Sequence, residues 1–315
     1  MVTLFHDPSM LDHVPARGHP ERPERLQAVL RHLNRTGLKA ACPAGIVRPA
    51  TNDELLRVHT AGHLAQIASF GAGGGGSIEQ DTWMSSGSEH AARMAAGAVV
   101  EAVAHVVAGR DQRALCLVRP PGHHARADGP MGFCLFGNVA VGAADAVERL
   151  GLDRILIVDW DVHHGNGTQE MFYDDPRIGF LSVHRYPFYP GSGAADETGH
   201  GPGLGTTRNV PLPASVRRQD YRSAFRKGLE EMAGLIRPDL ILISAGFDAH
   251  AEDPVGGLGL EVDDFVDLTR AVIDVAEVHA GGRIVSVLEG GYNPSILAGC
   301  VEAHLRALGA GAAAS

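Results

Sequence analysis

Cysteine is scarce in this chain of 315 residues: Cys42, Cys116, Cys134 and Cys300 stand far apart, with no Cys-x-x-Cys pair. That excludes a disulfide framework and a thiolate zinc site and predicts four buried thiols acting as small hydrophobes. Lysine is rarer still, with two among the 27 basic residues, an arginine bias consistent with a GC-rich, bacterial coding sequence. Positive charge is not in excess. A net charge of −10 argues against nucleic-acid partners, which need a basic patch to displace counterions from phosphates. Long apolar runs are missing too, so nothing approaches the ~20 residues that cross a bilayer. The start, MVTLFHDPSM, meets Asp7 and Pro8 too early for a signal peptide. These absences predict a cytoplasmic protein with neither nucleic-acid nor membrane partners; the oligomeric state stays open, a homo-oligomer included.

What is present, 44% apolar and 20% charged residues, suffices to bury a large core. Short apolar runs alternate with long amphipathic stretches, the pattern of one α/β domain over residues 1–315, with a mainly parallel central sheet and helices on both faces. Strands are expected at Val2–Phe5, Ala114–Val118, Ile155–Val158, Ile178–Val183, Leu240–Ser244 and Ile284–Leu288, with weaker signals near Ile46 and Asn209. Helices are expected at Pro23–Leu33, Ala61–Phe70, Ser88–Val107, Asn138–Leu150, Arg218–Ile236, Val262–Val278 and Pro294–Leu308. Ser88 reads as an N-cap and Gly109, Gly151 and Gly281 as C-terminal caps. The GAGGGG run at 71–76 lacks the Gly-Lys-Ser/Thr ending of a phosphate loop and reads as a mobile surface loop.

Polar clusters directly follow four of the apolar runs: Arg119 to His124, Asp159 to His164, Ala245 to His250 and Glu289 to Tyr292. In a parallel sheet all carboxyl ends lie on one edge, so four clusters distant in sequence converge on one crevice.

Within DWDVHHG, Asp159, Asp161 and His163 alternate, and a side-chain period of two points them one way while Trp160 and Val162 pack. Standing alone, an Asp-x-His after a strand is more often a hydrogen-bonded pair than a ligand set. Here a second acidic strand end, Asp248, faces it, and burying that much negative charge is costly without a cation. Asp161, His163 and Asp248 would leave an open position, the arrangement of a catalytic zinc site; iron, cobalt and manganese remain open on ligand type. His123 and His124, after Pro120-Pro121-Gly122, supply one ring to take a proton from water and one to give it to a leaving amine. Tyr292, behind two glycines, can donate to an oxyanion.

Together RPPGHHA (119–125), GFCLFGN (132–138), DWDVHHGNGT (159–168), LSVHR (181–185), PFYPGSG (187–193), SAGFDAH with DPVGGL (244–258) and LEGGY (288–292) resemble the histone deacetylase superfamily. That group includes histone deacetylases, acetylpolyamine amidohydrolases and acetoin-utilisation proteins, and the GNGT form is similar to its class II branch. The resemblance implies the arginase/deacetylase fold, with Zn2+ on Asp161, His163 and Asp248, Asp159 orienting His123, and Tyr292 as oxyanion donor. It implies zinc-promoted attack of water on an amide carbonyl. Phe133 and Tyr189 match the family's channel walls, Gly132 a point of close backbone approach, and Asp81 a rim aspartate. Asp159, Asp161, His163 and Ser182 match residues around a structural K+. Asn166 stands where some members carry an acid beside the second histidine, which by this reasoning makes His124 less basic and moves the general base toward His123 or shared duty. Val255 takes the position where polyamine-selective members place an acid, so an acyl-lysine or similar small amide is expected, with Glu252 and Asp253 as alternative charges for a polyamine. A binuclear manganese hydrolase and a non-catalytic acyl-amine binder are the competing readings; the first needs more carboxylates than this crevice offers, and the second fits poorly with an intact set of His123, His124, Tyr292 and three ligands.

Overall fold

The structure is a computed structural model and describes residues 1–309. In chain order its strands are β1 (Val2–Phe5), β2 (Gly75–Ser77), β3 (Trp83–Ser85), β4 (Arg113–Cys116), β5 (Ile155–Asp159), β6 (Ile178–Arg185), β7 (Thr207–Leu212), β8 (Leu240–Ala245) and β9 (Ile284–Leu288). The helices are α1 (Pro23–Arg35), α2 (Leu38–Ala41), α3 (Asn52–Leu55), α4 (Ala61–Ala72), α5 (Ser88–Val107), α6 (Asn138–Glu148), α7 (Asn166–Phe172), α8 (Arg218–Ile236), α9 (Val262–His279) and α10 (Pro294–Ala307). Strands apolar at every position, rather than at alternate ones, must be covered on both faces. Accordingly β1, β5, β8 and β9 are buried along their whole length. Helices α1, α10, α9 and α8 pack in that succession as one layer, and α5 and α6 pack on each other as another.

All seven strands of the main sheet run parallel in the order β1-β4-β9-β8-β5-β6-β7. After β5 the chain builds outward to β6 and β7, then returns to the other side of β5 as β8. The strand order therefore reverses between β5 and β8, and a crevice opens at the carboxyl ends beside such a reversal. Register brings Asp159 level with Ser182 on one side and Ser244 on the other, and Ala245 level with Leu288.

The expected strands and helices are all present with ends shifted by at most a few residues, except near Ile46. That segment forms no strand: β1 makes only an isolated bridge to Ala44, and Ile46 is exposed. The glycine run is also not simply a loop. Gly71 and Ala72 finish α4, and Gly75–Ser77 pair antiparallel with Trp83–Ser85. Gly87, not Ser88, is the N-cap of α5; the Ser88 hydroxyl is buried against His13 Nδ1 at 2.7 Å and accepts from Ser85 N. The three cap glycines have left-handed φ, and all four cysteines are buried and free. Among the described residues no helix is long and apolar enough to cross a membrane.

Candidate active site

At the reversal between β5 and β8, ligand atoms of Asp161, His163 and Asp248 lie within 4.8 Å of one another, all buried. His163 Nδ1 is 3.0 Å from Asp161 Oδ1 and 3.1 Å from Asp248 Oδ2. The backbone aims these groups: Asp161 accepts from His163 N at 3.0 Å and Gly290 N at 2.9 Å, and Asp248 from Val162 N at 2.9 Å. Trp160 and Val162 are fully buried, as the alternation requires. Gly290 allows the closest approach, since a Cβ there would stand 2.3 Å from Asp248 Oδ2 and 2.5 Å from Asp161 Oδ2.

The charges in this trio demand a cation. Burial, then the charge of Asp161, pushes Asp248 up to about 7. Burial opposes the ionisation of Asp161, but the cations at His123 and His163 outweigh it and hold Asp161 below the usual carboxylate range. Burial likewise disfavours charge on His163, yet its bonds to the two aspartates push it up to about 9. A proton on the imidazole thus offsets the charge of only one of the two carboxylates, and apart from that ion pair at 3.1 Å Asp248 Oδ2 is buried with no hydrogen-bond partner. One imidazole, two carboxylates and an orphaned oxygen fit a divalent ion of the zinc type. Among the described residues this is the one such cluster of three ligand groups.

The paired histidines have different surroundings. His123 Nδ1 lies 2.9 Å from Asp159 Oδ2, and the backbone N–H of His123 donates at 3.3 Å to Glu289, which also accepts from Gly122 N at 2.6 Å. Burial alone would lower His123, but the carboxylates of Asp161 and Asp159 push it up to about 10. His124 Nδ1 is 2.7 Å from Asn166 Oδ1, whose amide nitrogen faces Met131 Sδ. An accepting amide oxygen keeps the proton on Nδ1 and leaves Nε2 as the acceptor. Burial, followed by the His123 and His163 cations, holds His124 well below the usual imidazole range. The surroundings thus favour the neutral form of His124 and the protonated form of His123.

A cavity of about 230 Å³ reaches this centre, and Gly132, Phe133, Tyr189, Val255 and Asp81 all line it, with His124, His163, Phe188 and Tyr292. Gly132 has φ +55°, and a Cβ there would come within 2.4 Å of the His124 ring. Asp81 accepts from Gly132 N at 3.0 Å and from the Thr82 hydroxyl at 2.9 Å, so it braces the loop carrying Phe133 as well as facing the cavity. Phe188, which sequence reasoning left without a role, stacks on His163 at 5.2 Å and is covered by the Arg185 guanidinium at 4.1 Å. Glu252 is exposed and outside the cavity lining, while Asp253 accepts from Val255 N, Gly256 N and Tyr292 N.

Tyr292 stands at the end of the β9 turn. Burial lifts its phenol well above the usual range, so it remains a donor. Arg25 lies over its ring at 4.7 Å and donates to Gly291 O at 2.5 Å and Glu289 O at 2.6 Å. Glu21 joins Arg25 to Arg119, whose guanidinium also donates to Met10 O and His13 O. These buried ions carried one sequence signal, the clustering of charge in HPERPERL (19–26).

A sequence profile of the histone deacetylase domain matches residues 19–308. The chain is 40% identical over 286 residues to a histone deacetylase-like amidohydrolase of Pseudomonas aeruginosa, covering 90% of this chain and 75% of that protein. It is 37% identical to a probable deacetylase of Archaeoglobus fulgidus, covering 93% and 82%. The crystal structure of the HDA15 HD domain superposes with a TM-score of 0.93 at 38% identity, over 100% of this chain and 90% of that one. Plant deacetylases match as well, so the bacterial source rests on arginine bias alone. With the family profile spanning most of the chain and the fold shared with the HDA15 HD domain, the chain belongs to the histone deacetylase family and is a hydrolase acting on amides.

Proposed function

We propose that this chain is a zinc-dependent deacylase that releases a short acyl group, acetate first among them, from the side-chain amine of a lysine-like substrate. The observation that carries the reading is the meeting of Asp161, His163 and Asp248 at the inner end of an apolar-walled cavity that His124 and Tyr292 also line. Zinc held there would supply Lewis acidity, polarising the amide carbonyl and lowering the pKa of water.

The chain's own groups supply the rest. Phe133, Phe188, Tyr189 and Val255 give apolar walls that hold an aliphatic stem and exclude water. His124, neutral with Nε2 free, takes the proton of the attacking water. Tyr292 donates its phenolic proton to the carbonyl oxygen as charge develops there. His123, kept cationic by Asp159, stabilises that charge, and the protonated His124 or His123 returns a proton to the amine as the C–N bond breaks. With Asp161 engaged as a ligand, part of the charge that raises His123 would be offset and Asp159 would remain its principal support. A structural potassium ion, which Asp159, Asp161, His163 and Ser182 would surround, belongs to the same proposal, as does work as a homo-oligomer.

The apolar Val255 favours an acyl-lysine over a polyamine, whose second ammonium needs a carboxylate in reach. The test is acetate release by zinc-loaded protein from an acetyl-lysine peptide and from acetylputrescine, with a chelated control. Chelator-sensitive release from the peptide is expected, and faster release from acetylputrescine would move the assignment to the polyamine branch. Release that survives chelation would refute the zinc mechanism. In the same assay Val255→Glu shifts the ratio of the two rates toward acetylputrescine by about tenfold, the worth of ~1.4 kcal/mol from one new ion pair.

A further inference from the structure

We infer that Asp253 is a positioning residue that fixes the direction of the Tyr292 side chain and ties it to the channel wall at Val255; the inference rests on the role given to Tyr292 above. The peptide group joining Gly291 to Tyr292 is gripped at both ends. Its carbonyl accepts from Arg25 Nε at 2.5 Å, and its N–H donates to Asp253 Oδ2 at 2.6 Å. Both bonds are charge-assisted, one to a cation and one to an anion. The tilt of that peptide plane sets where the next Cα–Cβ bond points, so the two ions together aim the phenol.

The other oxygen of Asp253 accepts from Val255 N at 2.9 Å and Gly256 N at 3.0 Å. One carboxylate thus binds three N–H groups in two segments 39 residues apart. The Gly256 carbonyl in turn accepts from Arg185 Nη1 at 3.2 Å, and Arg185 covers Phe188 on the metal-side histidine. Wall and oxyanion donor are therefore one braced unit, with Asp253 at its junction. Local turn chemistry explains the Val255 and Gly256 bonds; it does not explain the bond to Tyr292.

An asparagine keeps the shape but has one oxygen. Whichever way its amide turns, an NH2 group faces either Tyr292 N or the Val255–Gly256 pair. Asp253→Asn is expected to lower kcat by about tenfold or more with KM changed by less than about threefold, the signature of misplacement at the reacting centre. Zinc content should stay at the wild-type level. On a Tyr292→Phe background the same change should cost nothing further, because the group it positions is gone. Asp253→Ser, which places no N–H donor against Tyr292, is measured beside it so that a folding defect in one variant does not decide the result. An undiminished loss on the Tyr292→Phe background, or a loss of turnover that only follows a loss of zinc, overturns the inference. Full turnover in Tyr292→Phe alone overturns the role of Tyr292 and this inference with it, and is seen before Asp253 is touched.

Discussion

Replacing Tyr292 by phenylalanine removes one oxygen atom and is expected to lower turnover about a hundred- to a thousandfold, roughly 3–4 kcal/mol of transition-state stabilisation. The ring keeps its place, because Arg25 and the backbone bonds of Gly291 and Tyr292 do not involve the hydroxyl. Zinc content and the melting temperature should therefore match wild type, and KM should change little. His124→Ala should show a loss of similar size, about 10² to 10⁴, with the metal retained. Steady-state rates together with metal analysis decide both. A Tyr292→Phe protein that turns over at the wild-type rate would end the oxyanion role, and one that has lost its zinc would make the tyrosine structural.

Asp161→Ala acts at a different level and is expected to abolish metal binding. The change removes one of three ligands and, with it, the acceptor for Gly290 N and His163 N. Added zinc should raise the melting temperature of the metal-free wild type by mass action, about 2.7 kcal/mol at a hundredfold excess over Kd, and should leave the variant unmoved. Calorimetric titration of both proteins measures this. A variant that binds zinc with wild-type affinity would show that the ion sits elsewhere.

The parts of the site that sequence reveals are those whose side chains carry the chemistry. Asp161 and His163 alternate in the segment just past the end of β5, and Asp248 lies just past the end of β8, so the pattern and the parallel sheet sufficed to bring them together. The channel residues needed the family motifs, because Phe133 or Val255 alone is an ordinary apolar residue. What stayed hidden works through the backbone. Asp253, Glu289 and Arg25 are visible as charges in the sequence, but the amide N–H or carbonyl groups that they hold are not. Asn166 shows the limit of counting charges: losing a carboxylate bears on His124, whereas the two aspartates that raise His123 act through space and are not visible in that one substitution. Helix α7 begins inside HHGNGT, a stretch with the composition of a turn, and was missed for that reason. The glycine run failed oppositely, its lack of side chains hiding a short antiparallel pairing.

The bond from Gly290 N to Asp161 Oδ2 spans 129 residues, and Gly290 follows the last strand of the sheet. During synthesis, then, Asp161, His163 and Asp248 all leave the ribosome before the strand that seats them. A nascent chain stopped after α9 carries every ligand but lacks β9, so the ion finds no finished site until translation is nearly complete. Loop-closure entropy over that span must be overcome before the contact returns any stabilisation. Metal uptake at the proposed site would consequently be a late event that reports the completed fold, and truncations that remove Gly290 would be expected to register as metal deficiency.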